Sequence, residues 1–385
     1  MTLAMSAPIA SRIDQLSLRV ALQRPGGRAG PSDSDVRLNV NGPQHLHWLA
    51  SGHIGTLADA YVHGDFDLEG DFEDLIDLAS ELAGDRATVD GPLVVGELLR
   101  HLFGRWLDLR RVHACAHFEK PSMTPAQDQD ARLEHMCRKL QLRPGQLLLD
   151  IGAGWGDLLF WAAEHHGVQA MGITQSRDQH AYVNDLITQK GLQGRVAMRL
   201  LDCRDLPLTP RFDRIASVGM FQHVDSAQLD SYFKRLHSML KPGGLLLKHG
   251  LTAGGVEDHR LGARGGNSFD KHIFSGDQLV NVSHLGRSLS ASGLALQEAE
   301  NLGPHYARTL RAWLSGLEGR VNQARALTSE TSLRAWRLYL AGFAVALERG
   351  WLSIHQLLAT RPPEGVSGAP LRCAPSTHAG EASHS

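Results

Sequence analysis

The sequence predicts an α/β fold with a mainly parallel sheet and helices on both faces. Two observations predict it. Between residues 143 and 252, short apolar runs alternate with stretches of helical spacing, the pattern of strands joined by crossover helices. The first of those runs, QLLLDIGAG, ends in an aspartate and glycines, as a buried parallel strand does when it turns sharply into a helix.

Taken in order, residues 1–35 predict a flexible N-terminal extension, and PGGRAGPSDSD within it has linker composition. Residues 36–90 predict a small N-terminal α+β domain. VRLNVNG alternates Val36, Leu38 and Val40 before an Asn-Gly turn, and two helical patterns follow, separated by glycines and acidic residues. A bridging segment of helices spans 92–140 and closes on the amphipathic RLEHMCRKLQL. The strands of the central domain are then QLLLDIGAG, VQAMGIT, RVAMRLLD, FDRIASVGM and LLLKHGLT, with helical spacing between them. Residues 285–360 read as mostly helical, LAGFAVALERGWLSIHQLLA most clearly. Residues 362–385 are rich in Pro, Ser, Gly and Ala and predict a disordered tail. The catalytic domain is therefore expected over 91–361.

Composition narrows the function classes. The chain has 385 residues and a formal net charge of -2, which argues against a general nucleic-acid binder. No apolar run long enough to span a membrane occurs, and the N-terminus lacks the basic start and apolar block of a signal peptide. Cys115, Cys137, Cys203 and Cys373 make no CxxC pair, so a reduced cytoplasmic compartment is expected. The histidines have no metal-ligand spacing, and no metal is expected.

The strongest local signal is Asp150-Ile-Gly152-Ala-Gly154-Trp-Gly156. Glycine lets the chain turn and a ligand approach the backbone. The following helix N-terminus carries a positive dipole end, and the acidic Asp150 beside it suits a cationic amino-acid portion. The next strand ends in Gly172-Ile-Thr174-Gln-Ser176, with Gln179 one turn on; the third ends at Asp202, the fourth near Val218. Ligands of open α/β sheets bind outside such carboxyl ends. A nicotinamide dehydrogenase fits less well, because Leu158 and Leu159 stand where a third glycine is expected and the second strand lacks a terminal carboxylate.

This order, with the Lys241-Pro-Gly243-Gly244 turn, resembles the class I S-adenosylmethionine methyltransferases. VHACAHFEKPSMTPAQDQDARLEHMCRKLQLRPG, FDRIASVGMFQHVD and FDKHIFSGDQL resemble three stretches of the cyclopropane-fatty-acid synthases within that class. The resemblance covers roughly residues 36–360. It implies a Rossmann-like class I methyltransferase sheet with helices on both faces, a small N-terminal α+β domain and a helical C-terminal part. It implies S-adenosylmethionine as co-substrate, contacted by Asp150, Gly152, Gly154, Thr174, Gln179, Asp202 and Val218. It implies bicarbonate as the base, held by Cys115, Gln222, His249, the backbone of Leu251 and Tyr306. The implied substrate is an unsaturated phospholipid at the inner membrane face, reached by a peripheral and dimeric enzyme. Bland alternatives stand beside these roles: Cys115 as a small buried residue, His249 as a satisfied polar group, Tyr306 as core.

The sequence departs from the family at four places. The glutamate of the family's F-E-H is Gln222, which keeps the shape but loses the charge and adds a donor. Of the family's H-Y-D-x-x-N-D-F-Y-x-x-W-L-D only Trp106-Leu107-Asp108 is clearly kept. The aromatic of Y-S-C-A is His113, and the one after the third-strand aspartate is Cys203. Three readings follow: ring formation on acyl chains, methylation of an unsaturated lipid without ring closure, and a non-catalytic lipid- or cofactor-binding relative. RTLRAWL and LRAWRLYLAGF place arginines beside Trp and Leu, as helices lying in a membrane interface do; ordinary helices packed on the core are the alternative.

Overall fold

Two sheets form, and in each the period of the apolar residues decides which face is buried. The structure is a computed structural model that describes residues 19–24, 27–40, 60–70, 74, 125–208, 212–218, 228–254 and 279–363. The described strands are β1 (Val20–Arg24), β2 (Gly27–Ala29), β3 (Val36–Val40), β4 (Phe66–Gly70), β5 (Leu147–Ile151), β6 (Gln169–Thr174), β7 (Val196–Leu200), β8 (Phe212–Val218), β9 (Leu240–Ala253), β10 (Ala295–Asn301) and β11 (Leu352–Thr360). The described α-helices are α1 (Pro125–Lys139), α2 (Asp157–His166), α3 (Arg177–Gln189), α4 (Leu229–Met239), α5 (Val282–Ala291), α6 (Gly303–Glu318), α7 (Val321–Leu327) and α8 (Glu330–Glu348). The chain divides into two compact units: Met1–Ala131, Leu251–Val282 and Leu302–Ile354 in one, Arg132–Gly250, Ser283–Asn301 and His355–Ser385 in the other.

The second unit is built on a seven-stranded sheet in the order β10-β11-β9-β8-β5-β6-β7. β7, β6, β5, β8 and β9 pair in parallel, and β10 and β11 are antiparallel. This is the Rossmann-like methyltransferase sheet that the resemblance implies. Leu133, Met136, Cys137 and Leu140 recur at helical spacing and pack with Leu148, Ala216 and Leu247 in one apolar cluster, so α1 covers that face of the sheet.

The first unit contains a four-stranded sheet in the order β2-β1-β3-β4. Val36, Leu38 and Val40 alternate inward as expected. Val20 and Leu22 join them in a cluster with Leu310, Trp313, Trp336, Leu340 and Phe343 of α6 and α8. One expectation needs correction here, and the separator between the two helical patterns gains a structure of its own. Part of the extension expected over 1–35 is β1 and β2, because its apolar alternation finds a partner strand in β3. The acidic stretch after Gly64 is the strand β4, whose Asp67 and Glu69 alternate with Phe66 and Leu68.

Residues 285–360 are mostly helical as expected, and a second correction concerns only LAGFAVALERGWLSIHQLLA, read as one helical segment. The helix within it ends at Glu348, and LSIHQLLAT is a strand, β11, buried over nearly its whole length; ALQEAEN is its edge partner, β10. The arginines read as facing a membrane are engaged within this unit. Arg311 makes two hydrogen bonds to Glu348, both 2.7 Å, Arg337 pairs with Glu318, and Arg334 binds Asp67 and the backbone oxygens of Tyr61 and Phe66. Trp313 and Trp336 are buried. No helix among the described residues is long and apolar enough to cross a membrane. The expected boundary near residue 90 and the tail beyond 363 lie outside the described residues.

Candidate active site

At the carboxyl end of β5 the chain leaves the sheet through Gly152, Gly154 and Gly156, with φ of 75°, 57° and 88°. Amides of Gly152 and Ala153 both donate to the Ile173 oxygen at 3.0 Å, which seats the turn on β6. A Cβ at Gly154 would meet nothing within 4 Å, so the glycine serves the backbone conformation and leaves open space above it. Gly172 answers a different demand. A Cβ there would sit 2.5 Å from Leu159 and 2.8 Å from both Ala153 and Met198, so its absence lets the loop and α2 close onto β6.

Asp150 is 3 % exposed, and its Oδ1 is buried without a hydrogen-bond partner. Burial pushes its carboxyl up to about 7, opposed by Arg132 and assisted by Asp157. An orphaned carboxylate oxygen beside a helix N-terminus fits the ammonium group of an amino acid.

Along the same edge, Thr174 Oγ1 donates to Gln179 Oε1 at 2.7 Å and accepts from the Ser176 amide at 3.1 Å. Ser176 caps α3 by accepting from the Gln179 amide. Asp202 accepts from Gln175 Nε2 at 2.8 Å and from the Arg204 amide and side chain at 2.7–3.0 Å. The Arg204 hydrogen bond holds its carboxyl down at about 2. The expected cofactor residues therefore line the ends of β5, β6, β7 and β8.

His249 lies in register with Val218 and is 6 % exposed. Burial, then Arg132 and Lys248, lower its pKa to about 3, so it is neutral at physiological pH. Gln356 Nε2 lies 3.5 Å from His249 Nδ1; with the amide donating, Nε2 carries the ring proton. On the other face of β9, Lys248 is 1 % exposed. It donates to Ser217 Oγ at 2.8 Å and Tyr232 Oη at 3.3 Å, and burial lowers it to about 7.

Leu251 and Tyr306 belong to the other unit. Leu251 is buried in its apolar cluster. The Tyr306 ring meets Phe343 edge-on at 5.4 Å, Tyr339 stacks on the same Phe343 at 5.6 Å, and the Tyr306 hydroxyl is hydrogen-bonded to that of Tyr339. Cys115 and Gln222 lie outside the described residues. Sequence reasoning missed Arg132, Arg204 and Tyr339. Each reads as an ordinary helix or loop residue until the fold gives it a neighbour. No group of metal-ligating side chains occurs among the described residues.

A parallel sheet with this glycine loop and buried acid at its carboxyl edge defines a class I methyltransferase that uses S-adenosylmethionine. The mycolic acid cyclopropane synthetase family model matches residues 97–357, and the chain belongs to that family. A probable fatty acid methyltransferase of Pseudomonas putida is 36 % identical over 350 residues, covering 86 % of this chain and 89 % of the relative. Cyclopropane mycolic acid synthase 1 of Mycobacterium tuberculosis is 32 % identical over 270 residues, covering 68 % of this chain and 93 % of the relative. The solved structure of the cyclopropane synthase MmaA2 from the same organism superposes with a TM-score of 0.60 at 29 % identity, over 66 % of this chain and 91 % of that one.

Proposed function

We propose that this enzyme transfers a methyl group from S-adenosylmethionine to the double bond of an unsaturated phospholipid acyl chain and closes a cyclopropane ring. The observation that carries the reading is the sheet register. It pairs Asp150 with Ala216 and His249 with Val218, so both side chains project from one face with β8 between them. An acid for the cofactor and a neutral histidine for the reacting centre thus share one face.

The bound cofactor supplies an electrophilic methyl on a sulfonium. Asp150 holds the ammonium end, and the open space over Gly154 admits the amino-acid portion. The alkene π pair forms the new C–C bond as the S–CH3 bond breaks, leaving a carbocation on the neighbouring carbon. A base takes a proton from the transferred methyl, and the freed C–H pair closes the ring. His249 Nε2–H is a donor suited to an anion, and bicarbonate is the base we assign to it. A neutral histidine orients such an anion without competing for its proton. Cys115, Gln222, the Leu251 backbone and Tyr306 complete the set by family resemblance, and the remaining cofactor contacts are Gly152, Thr174, Gln179, Asp202 and Val218. Access to lipid implies a peripheral enzyme.

One observation of the sequence favours a second reading, methylation without ring closure: Gln222 stands where the resembling family stretch carries a glutamate, so the negative charge of that position is lost. The test is the fatty-acid profile of a bacterium that makes unsaturated but no cyclopropane lipids. Expression should add an acyl chain heavier by one CH2, with a ring by mass-spectrometric fragmentation. A methyl or methylene product instead supports the second reading, and Gln222→Glu should then raise the share of ring. No new chain at all overturns both.

A further inference from the structure

Beside His249 the sheet carries a buried amide. β9 and β11 are neighbours. At one end of their pairing the Arg361 amide donates to the Gly244 oxygen at 3.1 Å, and at the other the Gly254 amide donates to the Trp351 oxygen at 3.0 Å. Counting inward from either end sets His249 directly opposite Gln356, so the two side chains leave the same face side by side. Leu247 and Leu358, the next opposed pair on that face, pack with Met136 of α1 in one cluster. Gln356 is 2 % exposed. Its Nε2 lies 3.5 Å from His249 Nδ1, and its Oε1 is buried without a partner among the described residues. Its neighbour in register on β10 is Glu300, which pairs with His135 and Lys139 of α1. A half-satisfied buried amide costs stability that a leucine would not. β11 is otherwise apolar on this face, at Ile354 and Leu358, so the amide at 356 calls for a reason.

We propose that Gln356 is a positioning residue for His249: its amide N–H holds Nδ1 as an acceptor and so fixes the ring proton on Nε2, the nitrogen left for the reacting centre. The reverse setting of the amide would satisfy Oε1 and strand the amide N–H groups, and orphaned buried N–H groups are the rarer defect. The choice of tautomer decides what His249 can do. With the proton on Nε2 the ring donates to an anion; with the proton on Nδ1 a lone pair would face that anion and repel it. A carboxylate in the place of the amide would draw the proton to Nδ1 and favour the charged ring. Glu300 is held by α1 instead, and in register the neutral Gln356 stands between it and His249. The row thus runs Glu300, Gln356, His249 and Val218 across β10, β11, β9 and β8, with the amide separating the histidine from the acid. At 3.5 Å the contact is loose, as such contacts often are before a ligand binds.

The inference rests on the role proposed above for His249, and its test begins with a readout that needs no substrate. The full-length protein is prepared with isotopically labelled histidine for nitrogen NMR, and the His249 resonances are identified by their loss in His249→Asn. At about pH 7, with the ring neutral, wild type should show Nε2 protonated and Nδ1 bare; a proton on Nδ1 overturns the proposal. In Gln356→Met the Nδ1 resonance should move toward its protonated position as the second tautomer gains population. On unsaturated phospholipid vesicles the same variant should lose about tenfold in kcat, the worth of one hydrogen bond, with KM for lipid and affinity for S-adenosylhomocysteine within about threefold of wild type. An unmoved Nδ1 resonance, or an unchanged kcat, would reduce Gln356 to packing and overturn the proposal. If Gln356→Met does not fold, Gln356→Asn, whose shorter stem withdraws the amide, takes its place with the same expectations. Should wild type react with no vesicle lipid, the acyl-chain reading fails and the tautomer measurement alone decides this inference.

Discussion

At the residue scale, Asp150 sets two opposing demands. Its carboxyl titrates near 7 in the fold against an ordinary value of 3.8. A group whose folded pKa is raised gives its full contribution below the unfolded pKa and loses it as pH rises through the folded one. The ligand-free protein should therefore lose stability between about pH 4 and 7, by up to about 4 kcal/mol, and cofactor binding should recover part of that loss. Asp150→Asn should flatten this pH dependence, melting at a higher temperature than wild type at pH 8 without ligand. It should also bind S-adenosylhomocysteine about a hundredfold more weakly, the loss of a charge-assisted pairing. Thermal melts and calorimetry read the two effects, and an unchanged affinity would remove Asp150 from the site. His249 makes the complementary case. Its low pKa leaves nothing to titrate above pH 5, so His249→Ala should lower turnover about 10²-fold or more while affinity for S-adenosylhomocysteine stays within about threefold. Turnover at the wild-type rate in a lipid-vesicle assay would exclude His249 from the reaction.

At the scale of elements, close approach decides what the sequence shows and what it hides. Asp150, Gly152 and Gly154 were legible because glycine is the residue a strand-to-helix turn needs, and the following strand ends repeat the pattern. Gly172 was legible as a motif member, but its reason is structural: Leu159, Ala153 and Met198 occupy the place of its Cβ. Gly172→Ala should cost about 1–3 kcal/mol by overpacking, seen as a lower denaturant midpoint, with cofactor affinity falling as the loop is displaced. A variant as stable as wild type would show that α2 yields freely. β11 was hidden because Leu352, Ile354, Leu357 and Leu358 form a nearly continuous apolar run, which periodicity alone does not separate from a buried helix. β10 was hidden for the opposite reason, since its exposed glutamates resemble a solvated helix face. Arg132 and Arg204 escaped notice because charges on a helix or loop read as solvent contacts until a tertiary neighbour is known.

At the scale of the whole molecule, the methyltransferase sheet was legible from order and punctuation, whereas the use of the N-terminal residues was not. A composition rich in Gly, Pro and Ser masked β1 and β2, and the helix residues that β1 packs against lie far along the chain. Val20, Leu22, Val36 and Leu38 share one apolar cluster with Leu340, Phe343 and Val345 of α8. Arg334 of α8 reaches the backbone oxygens of Tyr61 and Phe66 across more than 260 positions of sequence. The mycobacterial synthase is matched over 93 % of its own length by 68 % of this chain, and the family model begins at residue 97. That match suggests a truncation that would stand alone. The packing argues otherwise for this chain, because removing residues 1–96 would leave the α8 side of the cluster in water, at roughly 25 cal/mol per Å² of apolar surface exposed. A protein starting at residue 97 should therefore be largely insoluble, or melt at least about 10 °C below the full chain, with its sheet and glycine loop unaltered in sequence. Charged substitutions at Leu340 and Phe343 should restore solubility to the truncated form while destabilising the full one. A soluble truncation that melts with the full chain would show that the N-terminal strands contribute nothing to the stability of α8.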